Sequence, residues 1–415
     1  MTARCEQEFV RGRYCESPAL VPAALKTAAV LASALMLPMA VVAQNDAGTG
    51  ELTLTPVFKA STQADKPTPL QSDTDNPTWI NLVDAGMALR FSTPLVGWEV
   101  SYQAAVARHE INADEKYLDH SLSGRDSLDL GDGHTLEVKA AKDVTHEDRG
   151  RSRSRGMRSL LQSLDTFART EVGVTYQYGG ESEQQPLGAK VVYSGLDYQS
   201  VESDDAQSLG YNEAYLAGTF SLQLVQDSAL LVEVSRLEVA NDSGHGETEL
   251  ANSTRDSVLT GFTWQSPGVT SGTVKLGYLR RALDTQQQEV FTAPNWEVEL
   301  AWTPDPYSTI KVESHRYDQE TTSGDDIIDT RRYGLDWTHQ WRNQWSLQIA
   351  GTYLDEVFDR LDREQNTVQV DTALRYAMDE RLQWSLGYRW QDRDSNIERL
   401  RMGRNQLQFS ADVVF

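Results

Sequence analysis

Residues Leu407–Phe415 read LQFSADVVF. Leu407, Phe409, Ala411, Val413 and Phe415 are apolar or small at every second position, with Gln408, Ser410 and Asp412 between them. Side chains of a β-strand alternate between faces, so this stretch has one greasy face and one polar face. It ends on an aromatic, Phe415. A soluble sheet with an amphipathic edge strand would show the same alternation. The rest of the chain decides between that and a membrane wall.

The sequence has 415 residues and a formal charge of −23. Phosphate backbones call for a basic surface, so nucleic acid is excluded as a partner. The mean hydropathy of −0.50 reads as soluble on average. In a membrane barrel, however, lipid-facing and inward residues alternate and cancel. Residues 1–43 read as a signal peptide with a long first region: Lys26 precedes an apolar run from Thr27 to Val42, and Val41-Val42-Ala43 fits a small-residue cleavage site. Pro38 interrupts that run, which is short for a membrane helix. Both cysteines, Cys5 and Cys15, fall inside it. The expected mature chain, 44–415, therefore lacks a disulfide, a thiolate metal site and a cysteine nucleophile, as suits passage through an oxidising compartment.

After Ala43 the recurring unit is a period-2 segment of about 10 residues, the length of a tilted membrane strand. Trp98, Val100, Tyr102, Ala104 and Val106 alternate with polar or small residues, as do Trp296, Val298, Leu300 and Trp302, and again Leu382, Trp384, Leu386, Tyr388 and Trp390. Aromatics recur near segment ends, at Trp98, Trp264, Trp302, Trp341, Trp345, Trp384 and Trp390, as in interfacial girdles. Short turns such as Gly131-Asp132-Gly133, Pro304-Asp305-Pro306 and Met378–Arg381 alternate with long polar loops. Those loops are expected at Val144–Ala168, Ser200–Tyr211, Ala240–Thr254, Ala282–Ala293, Asp318–Thr330 and Glu356–Asn366. Strict alternation of this kind builds periplasmic turns and extracellular loops. The expected fold is an all-β, up-and-down antiparallel transmembrane barrel of about 18 strands, with 16 as the alternative, forming one domain over 44–415. Pro56 weakens the first strand. A last strand ending in Phe resembles the signal read by the outer-membrane barrel-insertion machinery, which assigns that role to Leu407, Phe409, Ala411, Val413 and Phe415.

Alternation also nominates a lumen lining: Arg90, Glu99, Glu171, Glu233, Glu297, Glu299, Lys311, Glu313, Asp336, Asp371, Arg375 and Arg389. Such charges either pair across strands and stiffen the wall or guide solutes. Arg149, Arg151, Arg153, Arg155 and Arg158 crowd one expected extracellular loop, followed by SLLQSLDTF as a short helix. That loop is either a solvated basic segment or a contact for lipopolysaccharide phosphates. Acidic stretches Glu202–Asp205 and Asp325-Asp326 lack the spacing of a calcium loop. The seven histidines form no metal motif, and no nucleophile elbow or phosphate loop is present. Ser314 and His315 fall on opposite faces. No cofactor, metal or catalytic residue is therefore expected.

From about Leu52 to Phe415 the chain resembles a second family of outer-membrane β-barrel porins, whose members accompany exopolysaccharide or capsule gene clusters. The likeness rests on Tyr117–His134 (YLDHSLSGRDSLDLGDGH) with His146–Gly150, on Leu276–Arg281 (LGYLRR) with Trp296–Val298 and Trp302–Pro304, and on Gly387–Arg389 with Asp392–Asn396. It implies a bacterial outer-membrane location and a channel or scaffold for exopolysaccharide export, with a periplasmic polysaccharide-export protein and a polysaccharide as partners. The alternative is a general diffusion porin for small solutes. An outer-membrane enzyme acting on lipid or polymer is the remote third.

Overall fold

The computed structural model describes residues 50–67, 78–93, 95–109, 116–146, 166–179, 187–200, 210–225, 227–241, 252–266, 268–284, 290–320, 327–341, 344–358 and 362–414. Eighteen strands account for most of them. They are β1 (Glu51–Pro67), β2 (Thr78–Ser92), β3 (Val96–His109), β4 (Tyr117–Gly131), β5 (His134–His146), β6 (Thr166–Tyr178), β7 (Leu187–Ser200), β8 (Tyr211–Val225) and β9 (Ser228–Asn241). The second half is β10 (Ser253–Ser266), β11 (Thr270–Leu283), β12 (Val290–Asp305), β13 (Ser308–Glu320), β14 (Ile327–Gln340), β15 (Trp345–Phe358), β16 (Arg363–Ala377), β17 (Leu382–Ser395) and β18 (Met402–Val414). Each strand pairs antiparallel with its sequence neighbours, and β1 pairs with β18, so the sheet closes. Closure removes the exposed edges that an open sheet would present. The 16-strand alternative is ruled out.

One face of this sheet is apolar and exposed. Val83, Met87, Val106, Val172, Val191, Leu216, Val234, Val258, Leu276, Leu335, Leu386 and Leu407 are each more than two-fifths exposed. A soluble protein rarely leaves so continuous an apolar surface uncovered; lipid covers it in a membrane barrel. Aromatics bound the band on both sides. Toward the short turns, ring pairs form between Phe91 and Trp98, Phe262 and Trp264, Trp345 and Tyr376, and Trp384 and Phe409. Trp264 lies over Gly272, where an added Cβ would meet its ring at 2.6 Å. Toward the other end, Tyr278, Trp296, Tyr333, Tyr353 and Trp390 close the outward rows, just before Arg280, Arg331, Asp355 and Asp392. From Trp345 to Tyr353 a strand advances roughly 26 Å at ~3.3 Å per residue, on the order of the apolar band of a membrane barrel.

The turns show why the sequence reverses where it does. Asp132 and Gly133, at φ +52° and +79°, form a two-residue turn preceded by Gly131 at φ +82°. Both central residues of this turn type need φ above zero, which Asp and Gly tolerate. Between β16 and β17, the Asp379 carboxylate accepts the backbone N–H groups of Arg381 and Leu382, each at 2.8 Å. Those hydrogen bonds hold its carboxyl below the usual range. Pro56 stands just outside the described β1–β18 ladder, which starts at Val57↔Val414, so the first strand keeps its place.

Two expectations need correction. The long loops are shorter than their polar sequences suggest. The stretch expected as loop at Glu356–Asn366 is mostly strand, since β15 runs to Phe358 and β16 starts at Arg363. Likewise β13 runs to Glu320 and β14 starts at Ile327. Backbone ladders do not need apolar side chains, and polar cross-strand pairs carry the wall beyond the bilayer. The alternation of lengths is also imperfect: residues 179–186 connect β6 to β7 at the short-turn end, and 359–362 connect β15 to β16 at the other. Thr166 and Phe167, expected at the end of a helix, open β6. Residues 1–43 with both cysteines, Arg149–Arg158, Glu202–Asp205, Asp325-Asp326 and Phe415 lie outside the described residues.

Candidate functional site

The charged residues nominated for the lumen lie on the face opposite the apolar rows, and cross-strand register decides which of them meet. Arg90 on β2 stands opposite Glu99 on β3, and its Nε donates to that carboxylate. Glu171 on β6 stands opposite Ser194, with Arg169 Nη2 at 3.6 Å. Asp371 on β16 accepts from Arg389 on β17 and from Gln369 at 2.6 Å. Arg375 donates to Gln348 at 2.7 Å, and Gln348 donates in turn to Asp336. Lys311 stands opposite Asp336. Glu299 stands opposite Glu313, a like-charge pair; Arg332 Nε donates to Glu313 at 2.8 Å. Exposed pairs of this kind are worth ~0–1 kcal/mol each, so they order the wall more than they stabilise it.

Glu233 belongs to the widest group. Lys275 on β11 places Nζ 2.8 Å from Glu233 on β9 and 2.6 Å from Glu297 on β12. β9 and β11 are not neighbours; β10 lies between them. Gly261 on β10 stands opposite Lys275 on one side and Leu231 on the other. A Cβ at Gly261 would run into the Val274 carbonyl and approach Lys275 Cγ to 2.8 Å. The absent side chain lets the lysine cross the strand. Alternation in the sequence identifies the facing residues, but this crossing depends on register across three strands.

A second region was missed at the sequence level. The β12–β13 ladder runs from Asp305↔Ser308 to Trp296↔Arg316, and among the described residues no pair follows it. Both strands continue, β12 back to Val290 and β13 on to Glu320. Pro294 sits in this part of β12 and has no N–H to donate. Arginine side chains take over from the ladder. Arg316 Nη1 donates to the Pro294 carbonyl at 2.7 Å, while its Nε and Nη2 hold Asp329 at 2.7 and 2.9 Å. Arg255 Nη1, from β10, donates to the Asp318 carbonyl at 3.1 Å. Arg281, from β11, reaches over β12 to the Asp318 carboxylate and donates to Ser253 Oγ at 3.2 Å. Arg281 and Asp318 are each 2% exposed. The sequence reading placed Asp318 in a loop near His315, but it faces these arginines. Ser314 accepts from Trp296 Nε1 at 2.9 Å, so no Ser–His arrangement forms there.

Beside the seam lies a cavity of about 590 Å³. Arg255, Arg281, Tyr317 and Asp318 form one side. Val192, Leu196, Leu237 and Val239 give it an aliphatic wall, with Lys190 and Tyr215 beside them. The Lys190 Nζ lies 6.0 Å from the centre of the Tyr215 ring. Among the described residues no group of three or more His, Cys, Asp and Glu is arranged to hold a metal.

No curated protein matches the chain in sequence. Among solved structures, OpdK of Pseudomonas aeruginosa with vanillate is 10% identical, with a TM-score of 0.48 over 88% of this chain and 99% of that one. OpdL of the same organism is 10% identical, with a TM-score of 0.46 over 88% and 99%. OccAB4 of Acinetobacter baumannii is 11% identical, with a TM-score of 0.41 over 88% and 98%. The family model described as Putative beta-barrel porin 2 matches residues 49–415. With its closed 18-strand wall and lipid-type outer face, the chain belongs to that porin family and to the bacterial outer membrane.

Proposed function

We propose that the protein is a passive diffusion channel for small polar solutes across the outer membrane. The observation that carries this is a closed 18-strand sheet with an apolar outer face and an inner face set with charges of both signs. Barrels of about 16–18 strands leave room for an aqueous bore, whereas eight-stranded ones fill with side chains. The charged residues named above line that bore, and Lys275 with Glu233 and Glu297 forms its most connected ionic group. The family match supports the small-solute reading better than polysaccharide export. This role needs outer-membrane lipid and the insertion machinery, and no periplasmic export partner. Liposome swelling tests it: vesicles containing the protein should admit glucose and small amino acids and exclude a long oligosaccharide. Vesicles that stay closed to every solute would refute the channel.

A further inference from the structure

We propose that the loop-side half of the β12–β13 seam is a lateral opening. Through it a single-chain amphiphile with an anionic head passes from the outer leaflet into the cavity behind. Backbone polar groups facing lipid have to be satisfied within the protein. Elsewhere in the wall the ladder does this. At this seam the Pro294 and Asp318 carbonyls are satisfied by the guanidinium groups of Arg316 and Arg255. Arginine side chains can turn aside without unpairing any strand, because β12 keeps its ladder to β11 and β13 keeps its ladder to β14. The seam can therefore part while the rest of the sheet stays whole.

The cavity explains what would use such an opening. Its seam side is made of Arg255, Arg281, Tyr317 and Asp318, so a parted seam leads straight into it. Its far side is aliphatic, an unusual surface inside a wall of charges. Val192, Leu237 and Val239 offer contact to an alkyl chain, and Lys190 beside them offers a cation to an acidic head. The volume of about 590 Å³ falls within the ~300–1,000 Å³ of small-molecule sites. Outside the seam, Trp296 and the Arg316 guanidinium above its ring, 5.9 Å from the centre, stand at the level where acidic heads of membrane amphiphiles lie. This route is independent of aqueous diffusion through the bore.

The test uses a disulfide lock. Residues 50–414 contain no cysteine, and continuing the β12–β13 register places Ala293 opposite Gln319. The double variant Ala293→Cys/Gln319→Cys is placed in lipid nanodiscs with a diazirine-bearing decanoate, irradiated, and its labelled peptides are mapped by mass spectrometry. In the reduced form, labelling is expected at the cavity residues Leu237 and Val239 as well as at outward Val234 and Val258. Oxidation should abolish the cavity labels, retain the outward ones, and be reversed by dithiothreitol. Retention of the outward labels shows that the oxidised barrel is intact. Cavity labelling that survives oxidation would mean access through the bore, and absence of cavity labelling in the reduced form would mean no access; either overturns the proposal. Swelling with glucose, measured on the same oxidised protein, separates failure of this route from failure of the channel.

Discussion

Two seams of this barrel contrast. β1 and β18 come from opposite ends of the wall, and no turn ties them. Their ladder is nonetheless continuous from Val57↔Val414 to Pro67↔Arg404. Side chains reinforce it inside: Lys59 Nζ stands 3.5 Å from Asp412, Ser410 is buried, and Arg404 grips the buried Asp65 at 2.8 Å. β12 and β13 are joined by a tight turn, yet their ladder stops at Trp296↔Arg316. Continuity of the chain therefore does not decide where the wall is tight. What decides it is whether each backbone group has a ladder partner, and Pro294 removes one. The closing seam holds by backbone with side chains added. The other holds in its loop-side half by side chains alone.

This contrast makes the effects of substitution unequal. Asp318→Ala should act most strongly, since it strands the buried Arg281 and no ladder lies beneath; breaking such a buried pair costs about 3–5 kcal/mol. Asp65→Ala in the closing seam should cost less, about 1–3 kcal/mol, because the ladder remains and Arg404 is partly exposed. Urea unfolding in lipid bilayers reads both. Equal losses at the two sites would erase the distinction. Gly261→Ala should cost about 1–3 kcal/mol by overpacking and should displace Lys275 from Glu233. An unchanged unfolding midpoint would show that the strand crossing does not depend on that glycine. Pro294→Val should have the smallest effect on stability, a gain of about 0.5–1.5 kcal/mol if the new N–H finds a partner. Its signature is hydrogen exchange. In the unsubstituted protein the amides of Tyr317 to Glu320 that face β12 should exchange faster than those of β18, and the substitution should narrow that gap. Uniform protection of both seams would contradict the half-open ladder.

Much of this architecture was legible from residue patterns. Strands stand where period-2 runs such as Trp296–Trp302 and Leu382–Trp390 predict them, because lipid imposes apolar side chains on one face only. Turns such as Asp132-Gly133 were legible because positive φ narrows the residue choice. The loop-side strand ends were misread for a physical reason. Beyond the bilayer a strand such as Arg363–Thr367 has no apolar row to betray it, so its polar residues resemble a loop. The facing charges followed from alternation, but their partners did not. That Lys275 crosses Gly261 to Glu233, or that Arg281 passes over β12 to Asp318, depends on register between strands distant in sequence. Pro294 was the one visible sign of the open seam, a proline within an otherwise regular strand.

The central claim is a water-filled bore whose wall includes the facing carboxylates Glu233, Glu297, Glu299 and Glu313, with Lys275 and Arg332 offsetting part of their charge. Reversal potentials of the purified protein in planar bilayers, across an asymmetric potassium chloride gradient, test it most directly. The account predicts stepwise conductance with a potential on the cation-selective side, reduced by Glu297→Gln/Glu299→Gln. An anion-selective potential, or a membrane that stays silent, would contradict it.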